Sequence, residues 1–165
     1  MNIGNHKIGI NNPTFVIAEA GVNYNNKLNL AFKMIDIAAN SGADAIKFQT
    51  WNTDLIQLKN SVKPSYQKKI HNHTYYEIIK NLEPSKQDQK KIFERCKKKQ
   101  IIFLSTPYDE ESVDFLDNLG VPAFKISSSD LTNHILLKHV AKKKKPIIIS
   151  TGLSNMDEVK ETIKL

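Results

Sequence analysis

Five short apolar runs, separated by helical patterns, constrain the fold of this chain more than any other feature. The runs span residues 14–20, 43–48, 101–105, 121–126 and 146–150. They are nearly continuous rather than alternating, which is typical of strands buried on both faces of a parallel sheet. Repetition of a strand followed by a helix therefore predicts an α/β fold with about five βα units.

Apolar residues spaced three and four positions apart predict three of the helices between these strands. The sets are Leu28, Ala31, Ile35 and Ala38; Gln89, Ile92, Phe93 and Cys96; and Leu136, Leu137, Val140 and Ala141. Cys96 lies in the second set, which indicates a core residue. Two pairs fit the Ser-x-x-acid pattern of a helix start, namely Ser85 with Asp88 and Ser154 with Asp157. A further short helix is predicted at residues 75–81.

Two architectures accommodate five βα units: an open doubly wound sheet, or the first part of an eight-unit barrel. The strands end in reactive polar residues, which are Glu19, Lys47, Gln49, Ser105, Thr106, Lys125, Ser150 and Thr151. Such residues at successive carboxyl ends are typical of a barrel mouth, and no glycine-rich phosphate loop follows the first strand. We therefore predict a TIM-type (βα)8 barrel, truncated to about five units, with an N-terminal β-hairpin at residues 1–12.

Composition narrows the class of protein. The formal net charge is +7, and a single cysteine excludes an intramolecular disulfide and a cysteine-based zinc cluster. That cysteine content is compatible with a reducing cytosol, so we expect a cytoplasmic protein. No apolar run reaches the roughly 18 residues of a membrane span, and the first residues lack the apolar core of a secretory signal.

Lysine runs at residues 97–99 and 142–145 carry much of the positive charge. Both follow helical patterns, where cations complement the helix dipole, so solvated helix ends are the favoured interpretation. Attraction of small acidic substrates is a second interpretation. A nucleic-acid interface ranks last, because no aromatic residues interleave with the runs.

Lys47 and Lys125 are the first candidates for chemistry. Each lies between apolar residues, in the sequences AIKFQ and AFKIS. One interpretation is a packed stem with a solvated amine. Two lysines at equivalent strand positions favour amines that converge on a phosphate or carboxylate, and a Schiff-base role is also open.

Hydroxyl groups and one acid supplement the lysines. Hydroxyls follow three strands, at residues 105–106, 127–129 and 150–151, where they either hold phosphate oxygens or cap helices. Glu19 is a candidate to bind substrate hydroxyls or a cation, or to pair with Lys47. The histidines show no convincing metal spacing, and His71 and His73 are expected at the surface.

Five ordered blocks resemble the N-terminal barrel of the sialic acid synthase family. They are IAEAGVNYN (17–25), SGADAIKFQT (41–50), IFLSTPYD (102–109), GVPAFKISSSDLTN (120–133) and KPIIISTG (145–152). Enzymes of that family condense phosphoenolpyruvate with an N-acetylated amino sugar aldehyde and release phosphate. The SSDLTN stretch looks more like the branch that makes legionaminic acid than the branch that uses N-acetylmannosamine.

The resemblance implies roles for individual residues. It implies catalytic positions around phosphoenolpyruvate for Glu19, Lys47 and Lys125. It implies further phosphoenolpyruvate contacts for Thr106, Ser128 and Ser150, a position near the sugar for Gln49, and a sugar-binding acid at Asp130.

The resemblance also implies partners. A divalent cation, Mn²⁺ or Mg²⁺, would polarise the sugar aldehyde, with histidine ligands from later strands, so no metal ligand is expected within this chain. Residues 1–165 are expected to be the N-terminal part of the synthase barrel, without the C-terminal barrel strands and the antifreeze-like domain. The full-length form is expected to be a homodimer that binds neither nucleic acid nor membrane.

Two stretches depart from the family pattern. Asn23-Tyr24-Asn25-Asn26 replaces the usual Asn-His-Asn-Gly, and residues 125–129 read KISSS rather than Lys-Ile-Gly-Ser-Gly. The Cβ atoms of Ser127 and Ser129 are expected to matter if the backbone there needs unusual dihedral angles or a close approach to a ligand.

Two functions from different classes follow. The first is part of a nonulosonic acid synthase. The alternative is a catalytically inactive fragment or a split-barrel module that binds a partner chain, because exposed sheet edges favour pairing.

Overall fold

A computed structural model of the chain describes residues 1–63 and 73–165. The strands are β1 (Asn2–Ile3), β2 (His6–Lys7), β3 (Ile17–Gly21), β4 (Ala45–Thr50), β5 (Ile102–Pro107), β6 (Phe124–Ile126) and β7 (Ile147–Ile149). The helices are α1 (Leu28–Asn40), α2 (Thr53–Ile56), α3 (Tyr75–Leu82), α4 (Lys86–Lys98), α5 (Glu110–Leu119), α6 (His134–Ala141) and α7 (Met156–Ile163). The predicted α/β class, the hairpin and the helix near residue 75 are confirmed, whereas the predicted position of His71 lies outside the described residues.

The parallel strands lie in chain order. β3, β4 and β5 form one hydrogen-bonded parallel ladder, β6 and β7 form a second, and β6 lies beside β5. A doubly wound sheet reverses its strand order at a switch point, and no such reversal occurs within the described residues. Sequential order with a helix after each strand is the pattern of a TIM-type barrel.

The outer face of the strands carries the larger core. Phe48 and Phe103 stack with ring centroids 5.7 Å apart, and Ile35 and Cys96 from the covering helices pack into the same cluster. Burial raises the pKa of the Cys96 thiol to about 12. Cys96 is therefore an inert core residue, as its place in the apolar stripe predicts.

The inner face carries a smaller cluster near the amino ends of the strands. Ala45, Leu104 and Ala123 meet there, and Ile3 from the hairpin packs against them. Because side chains alternate along a strand, the residues two positions beyond each of these also lie on the inner face, nearer the carboxyl ends. Lys47, Thr106 and Lys125 occupy those positions.

Element boundaries differ in detail from the sequence-based prediction. β3 begins at Ile17 and β6 at Phe124, three residues later than the apolar runs in each case, because the leading residues are approach loops. Helix α7 is capped by Asn155 rather than Ser154, with a reciprocal capping box to Glu158. Ala141 is exposed, so the predicted apolar stripe of α6 ends at Val140.

The lysine runs lie at helix ends. Lys97 and Lys98 occupy the last turn of α4, with Lys99 at its C-cap, and Lys142 is the C-cap of α6. Within the same runs, lysines pair with acids on neighbouring helices, for example Lys145 with Asp117 at 2.7 Å. The favoured interpretation of the runs as helix ends is thus confirmed. Over the described parts of the chain, none of the helices is both long enough and apolar enough to cross a bilayer.

Substitution of Ile35 by Ala is expected to lower the free energy of unfolding by about 2–5 kcal/mol, because its side chain is fully buried between α1 and the sheet. Ile37→Ala, on the exposed side of the same helix, is the matched control and should change it by less than about 0.5 kcal/mol. Urea denaturation followed by circular dichroism measures both. Equal losses would contradict this account of the core.

Candidate functional site

Lys47 is a buried lysine on the inner face of β4. Its register partner across the ladder is Glu19 of β3, and the Lys47 Nζ to Glu19 Oε2 distance is 3.0 Å. Nζ also donates to Thr106 Oγ1 at 3.4 Å. Since a buried amine needs compensation, these two groups explain how β4 accommodates a charge within an apolar strand. Of the three roles predicted for Glu19, the structure shows the ion pair with Lys47.

Lys125 occupies the corresponding inner position on β6. Its Nζ donates to the Ile126 carbonyl at 2.9 Å and to Ser150 Oγ, which follows β7. Burial and then the Lys47 charge lower the pKa of Lys125, and Glu19 partly opposes this. The two amines therefore lie near enough for mutual repulsion, on one face of the strands. This convergence is what their equivalent sequence positions predict.

Ser105 and Thr106 point to opposite sides of β5. Thr106 is buried beside Lys47, whereas Ser105 Oγ lies 2.7 Å from Thr50 Oγ1 in the outer layer. Thr50 in turn donates to Gln89 Oε1 of α4 at 2.8 Å. Thr106 therefore belongs to what we call the lysine cluster, whereas Ser105 does not. The other members of the cluster are Glu19, Lys47, Lys125 and Ser150.

A cavity of about 780 Å³ lies beside the lysine cluster at the carboxyl ends of the strands. Gln49 and Asp130 line it together with Trp51, Tyr108 and Asn133. Burial raises the pKa of Asp130, and hydrogen bonds from Ser129 and Asn133 oppose the rise. The predicted site residues thus fall into two groups: Gln49 and Asp130 line the cavity, and the lysine cluster lies next to it.

Asp109 fixes one wall of this cavity. It caps α5 by accepting from the Ser112 amide at 2.7 Å, and it accepts from the Asn52 amide at 2.8 Å. The loops after β4 and β5 are therefore tied together. Trp51 and Tyr108, which adjoin these anchors, meet edge to face with ring centroids 6.4 Å apart.

The departure at residues 127–129 introduces no backbone strain. Ser127 has φ −66° and caps the 3₁₀ turn Ser128–Asp130, and neither Ser127 nor Ser129 is among the described residues with positive φ. The concern that these positions need glycine dihedrals is thus wrong for this chain. Ser128 lies half-buried in the turn.

The departure at residues 23–26 is accommodated in two ways. Tyr24 packs in the outer core edge-on to Phe48, and burial raises its pKa to about 12. Asn25 and Asn26 adopt φ of 47° and 54°, a left-handed conformation that asparagine tolerates. Asn26 Nδ2 donates to the Asn81 carbonyl at 2.8 Å, which ties this loop to α3. Asparagine therefore serves where the family usually has glycine.

Comparison with known protein families supports the same assignment as the geometry of the site. The NeuB family matches residues 34–165.

The chain belongs to the NeuB family. The N,N'-diacetyllegionaminic acid synthase of Legionella pneumophila is 46% identical over 151 residues, covering 90% of this chain and 42% of the relative. The crystal structure of the N-acetylneuraminic acid (sialic acid) synthetase from Leptospira borgpetersenii, in complex with citrate, superposes with a TM-score of 0.86. It is 36% identical and covers 99% of this chain and 53% of that one.

A more distant likeness supports the fold alone. A truncated 3-deoxy-D-arabino-heptulosonate 7-phosphate synthase from Thermotoga maritima has a TM-score of 0.65 at 13% identity, covering 98% of this chain and 48% of that one. The predicted resemblance to sialic acid synthases is confirmed. This chain spans about half the length of the relatives it matches.

The described residues do not by themselves fit the divalent cation expected for the NeuB family. Residues 1–63 and 73–165 contain no cluster of three His, Cys, Asp or Glu side chains able to hold a metal ion. His6 pairs with Asp44, and His139 pairs with Asp114, which also pairs with Lys143.

Sequence reasoning missed two residues of the site. Tyr108 lies within the STPYD block and Trp51 directly follows the QT that ends β4, so both adjoin quoted motifs. Burial raises the pKa of the Tyr108 phenol, and a hydrogen bond with Ser127 opposes that rise. Both residues could have been identified from the sequence, because each lies immediately beyond the carboxyl end of a strand.

The pKa of Lys125 should respond to its two charged neighbours with opposite signs. Lys47→Met removes a like charge and is expected to raise that pKa, whereas Glu19→Gln removes an opposite charge and should lower it further. NMR titration of ¹³C-dimethylated lysines measures both shifts, with exposed Lys98 as the internal reference. If the titration midpoint of Lys125 is unchanged in both variants, neither Lys47 nor Glu19 interacts electrostatically with Lys125.

Proposed function

We propose that this chain supplies the phosphoenolpyruvate site and part of the sugar site of a nonulosonic acid synthase. The reaction is condensation of phosphoenolpyruvate with an N-acetylated amino sugar aldehyde, with release of phosphate. The observation that carries the proposal is the position of Lys47 and Lys125 on one inner face of the strands, two residues beyond Ala45 and Ala123, each beside a hydroxyl group.

Two neighbouring amines favour a ligand with more than one negative charge. Phosphoenolpyruvate carries a phosphate and a carboxylate, and its binding would relieve the repulsion between Lys47 and Lys125. Thr106 and Ser150, which already contact the two amines, would add hydroxyl donors to the same anionic groups. Ser128 would contribute from the turn after β6.

Glu19 has a positioning role in this proposal. It holds the Lys47 amine at 3.0 Å while its own carboxylate remains partly exposed. The pairing offsets the cost of burying the Lys47 amine.

The adjoining cavity suits the sugar. Gln49 offers an amide and Asp130 a carboxylate, both able to hydrogen-bond hydroxyl and acetamido groups. Apolar side chains such as Leu55 and Ile79 line the same cavity and suit acetyl methyl groups. Similarity to the legionaminic acid synthase favours a sugar of that class as the acceptor.

The chemistry needs orientation and charge stabilisation. The methylene carbon of phosphoenolpyruvate attacks the sugar aldehyde, positive charge develops at C2, water adds there, and the C–O bond to phosphate breaks. Lys47 and Lys125 would hold phosphate and carboxylate so that the methylene faces the aldehyde, and would stabilise the departing phosphate. Because phosphate is the leaving group, a lysine Schiff base is not needed.

Other predictions of the sequence belong to this proposal too. They are a Mn²⁺ or Mg²⁺ ion held by groups outside the described residues, a homodimeric full-length form, and a cytoplasmic location.

Phosphoenolpyruvate should bind this chain, and Lys47→Ala or Lys125→Ala should weaken binding about tenfold or more, which corresponds to a loss of ~1.4 kcal/mol or more. Each variant removes one of two charge-assisted contacts. Lys98→Ala removes an exposed lysine of α4 and is the matched control, expected to leave affinity unchanged. Isothermal titration calorimetry measures all four proteins. Equal affinities would exclude the lysine pair as the anion site.

A second candidate function is association with a partner chain. Among the described strands, β3 pairs only with β4, and β7 only with β6, so the outer edges of both are open. An apolar groove beside β3 is lined by Ala18, Met34 and Ile37, and Ile37 is exposed. A parallel strand followed by a helix would pair with the edge and fill the groove.

The remaining half of the Legionella pneumophila relative, produced separately, should associate with this chain in analytical ultracentrifugation. Ile37→Glu places a charge in the groove and is expected to abolish the complex. Ile10→Glu, at an exposed position outside the groove, should leave it intact. Absence of any complex with the unaltered chain would refute this second candidate.

A further inference from the structure

Trp51, the single tryptophan of the chain, lines the cavity just beyond the carboxyl end of β4. Its indole Nε1 donates to Thr53 Oγ1 at 3.1 Å. Thr53 is fully buried and does not line the cavity. An indole nitrogen carries one proton and only donates. The polar group of the Trp51 side chain is therefore committed to an acceptor within the protein, and the ring offers a ligand carbon alone.

Apolar side chains line the cavity together with Trp51. Tyr108 meets it edge to face, with ring centroids 6.4 Å apart. Leu55 and Ile56 of α2 and Ile79 of α3 line the same cavity. A hydroxyl placed against such side chains would lose its hydrogen bonds to water without replacement, whereas a methyl group or C–H edge would be favourably buried.

Two carboxylates from different segments hold the backbone directly after Trp51. The Asn52 N–H donates to Asp109 Oδ2 and the Thr53 N–H donates to Glu83 Oε2, both at 2.8 Å. Asp109 is the N-cap of α5, and Glu83 is the C-cap of α3. Hydrogen bonds to ionised groups are stronger than neutral ones. We call Thr53, Glu83 and Asp109 the Trp51 clamp, because they fix the backbone beside the indole and the acceptor of its N–H.

Further contacts hold the clamp on both sides of Trp51. Before it, Thr50 Oγ1 donates to Gln89 Oε1 of α4 at 2.8 Å. After it, Glu83 Oε2 also accepts from Lys80 Nζ at 2.9 Å. Residues 50, 52 and 53 are thus anchored to α4, α5 and the end of α3, respectively. The position of Trp51 is therefore set by three other segments and not by its own loop alone.

We propose that Trp51 is a specificity-determining residue that contacts the amino sugar through carbon, and that Glu83 and Asp109 are positioning residues that hold it in the cavity wall. The part of the ligand that it selects is apolar, such as the N-acetyl methyl group or a C–H edge of the sugar. The identity of the ligand rests on the proposed function, whereas the clamp does not. Release of the indole N–H from Thr53 would add a donor to the cavity and weaken this preference.

The bond between Trp51 and Thr53 is tested without any ligand, because a single tryptophan gives one indole N–H resonance in a ¹H–¹⁵N spectrum. Thr53→Val removes the acceptor and is expected to shift that resonance upfield and to accelerate its hydrogen exchange about tenfold. Thr53→Ser keeps the hydroxyl and should restore both, and Thr14→Val, at an exposed position, is the matched control. An unshifted resonance in Thr53→Val overturns the proposal. Indole exchange at the rate of free tryptophan in the unaltered chain overturns it too, without requiring any variant to fold.

The positioning roles use the same resonance. Glu83→Ala is expected to shift it, whereas Glu83→Gln keeps an acceptor oxygen and should leave it near the wild-type position. Asp109→Ser still offers an oxygen to cap α5 but lacks the second oxygen that Asn52 uses, so it should also shift the resonance. Glu94→Ala, at an exposed position on α4, is the matched control. An unshifted resonance in Glu83→Ala or in Asp109→Ser overturns the positioning role of that residue.

Ligand contact is tested by calorimetry on the whole chain, with N-acetylmannosamine as the probe. Trp51→Ala is expected to weaken binding about threefold to tenfold, because apolar contact is lost. Trp51→Phe keeps an aromatic ring without the N–H and should bind within about twofold of the unaltered chain. Equal losses in the two variants, or no loss in Trp51→Ala, overturn contact through carbon.

Phosphoenolpyruvate binding separates this proposal from the proposed function. If the unaltered chain binds phosphoenolpyruvate but not N-acetylmannosamine, the recognition role of Trp51 is overturned while the anion site stands. If it binds neither, the proposed function fails as well, and the indole resonance alone decides the clamp.

Discussion

The arrangement of the site depends on the ion pair between the buried Lys47 amine and Glu19. An amine on the inner face of β4 is unfavourable unless a partner compensates it, and the parallel register provides Glu19 directly opposite at 3.0 Å. Lys125 enters the same region from β6, and among residues 1–63 and 73–165 its amine hydrogen-bonds a carbonyl and a hydroxyl but no carboxylate. The positive charge is therefore incompletely neutralised, and an anionic ligand is what would complete it.

Strand alternation divides the molecule into a stabilising layer and a reactive one. On the outer face, Phe48 and Phe103 join the helices in the main core, while the inner face changes from Ala45 near the amino end of β4 to Lys47 and Gln49 near its carboxyl end. Small apolar residues seal the interior below the site. The strands that hold the polar residues of the site are therefore stabilised mostly by these apolar clusters and not by the polar residues themselves.

Departures from the NeuB family pattern are absorbed locally by asparagine and serine. Asn26, which stands where the family pattern has glycine, takes a left-handed conformation with φ 54°, and its amide ties the β3–α1 loop to the end of α3. Ser127 and Ser129 keep ordinary dihedral angles and use their hydroxyls instead. Of these residues, Ser129 lines the cavity.

Periodicity and apolar runs in the sequence determined the α/β class, the helices that bury Ile35 and Cys96, and the candidate lysines, because these depend on spacing along one segment. Resemblance identified the family, and it predicts roles for Gln49 and Asp130. Only the tertiary structure decided that Ser105 faces outward, that Tyr24 lies in the core, and that Tyr108 lines the cavity edge-on to Trp51. Those facts depend on register between strands and on the packing of loops from different βα units, which no local pattern encodes.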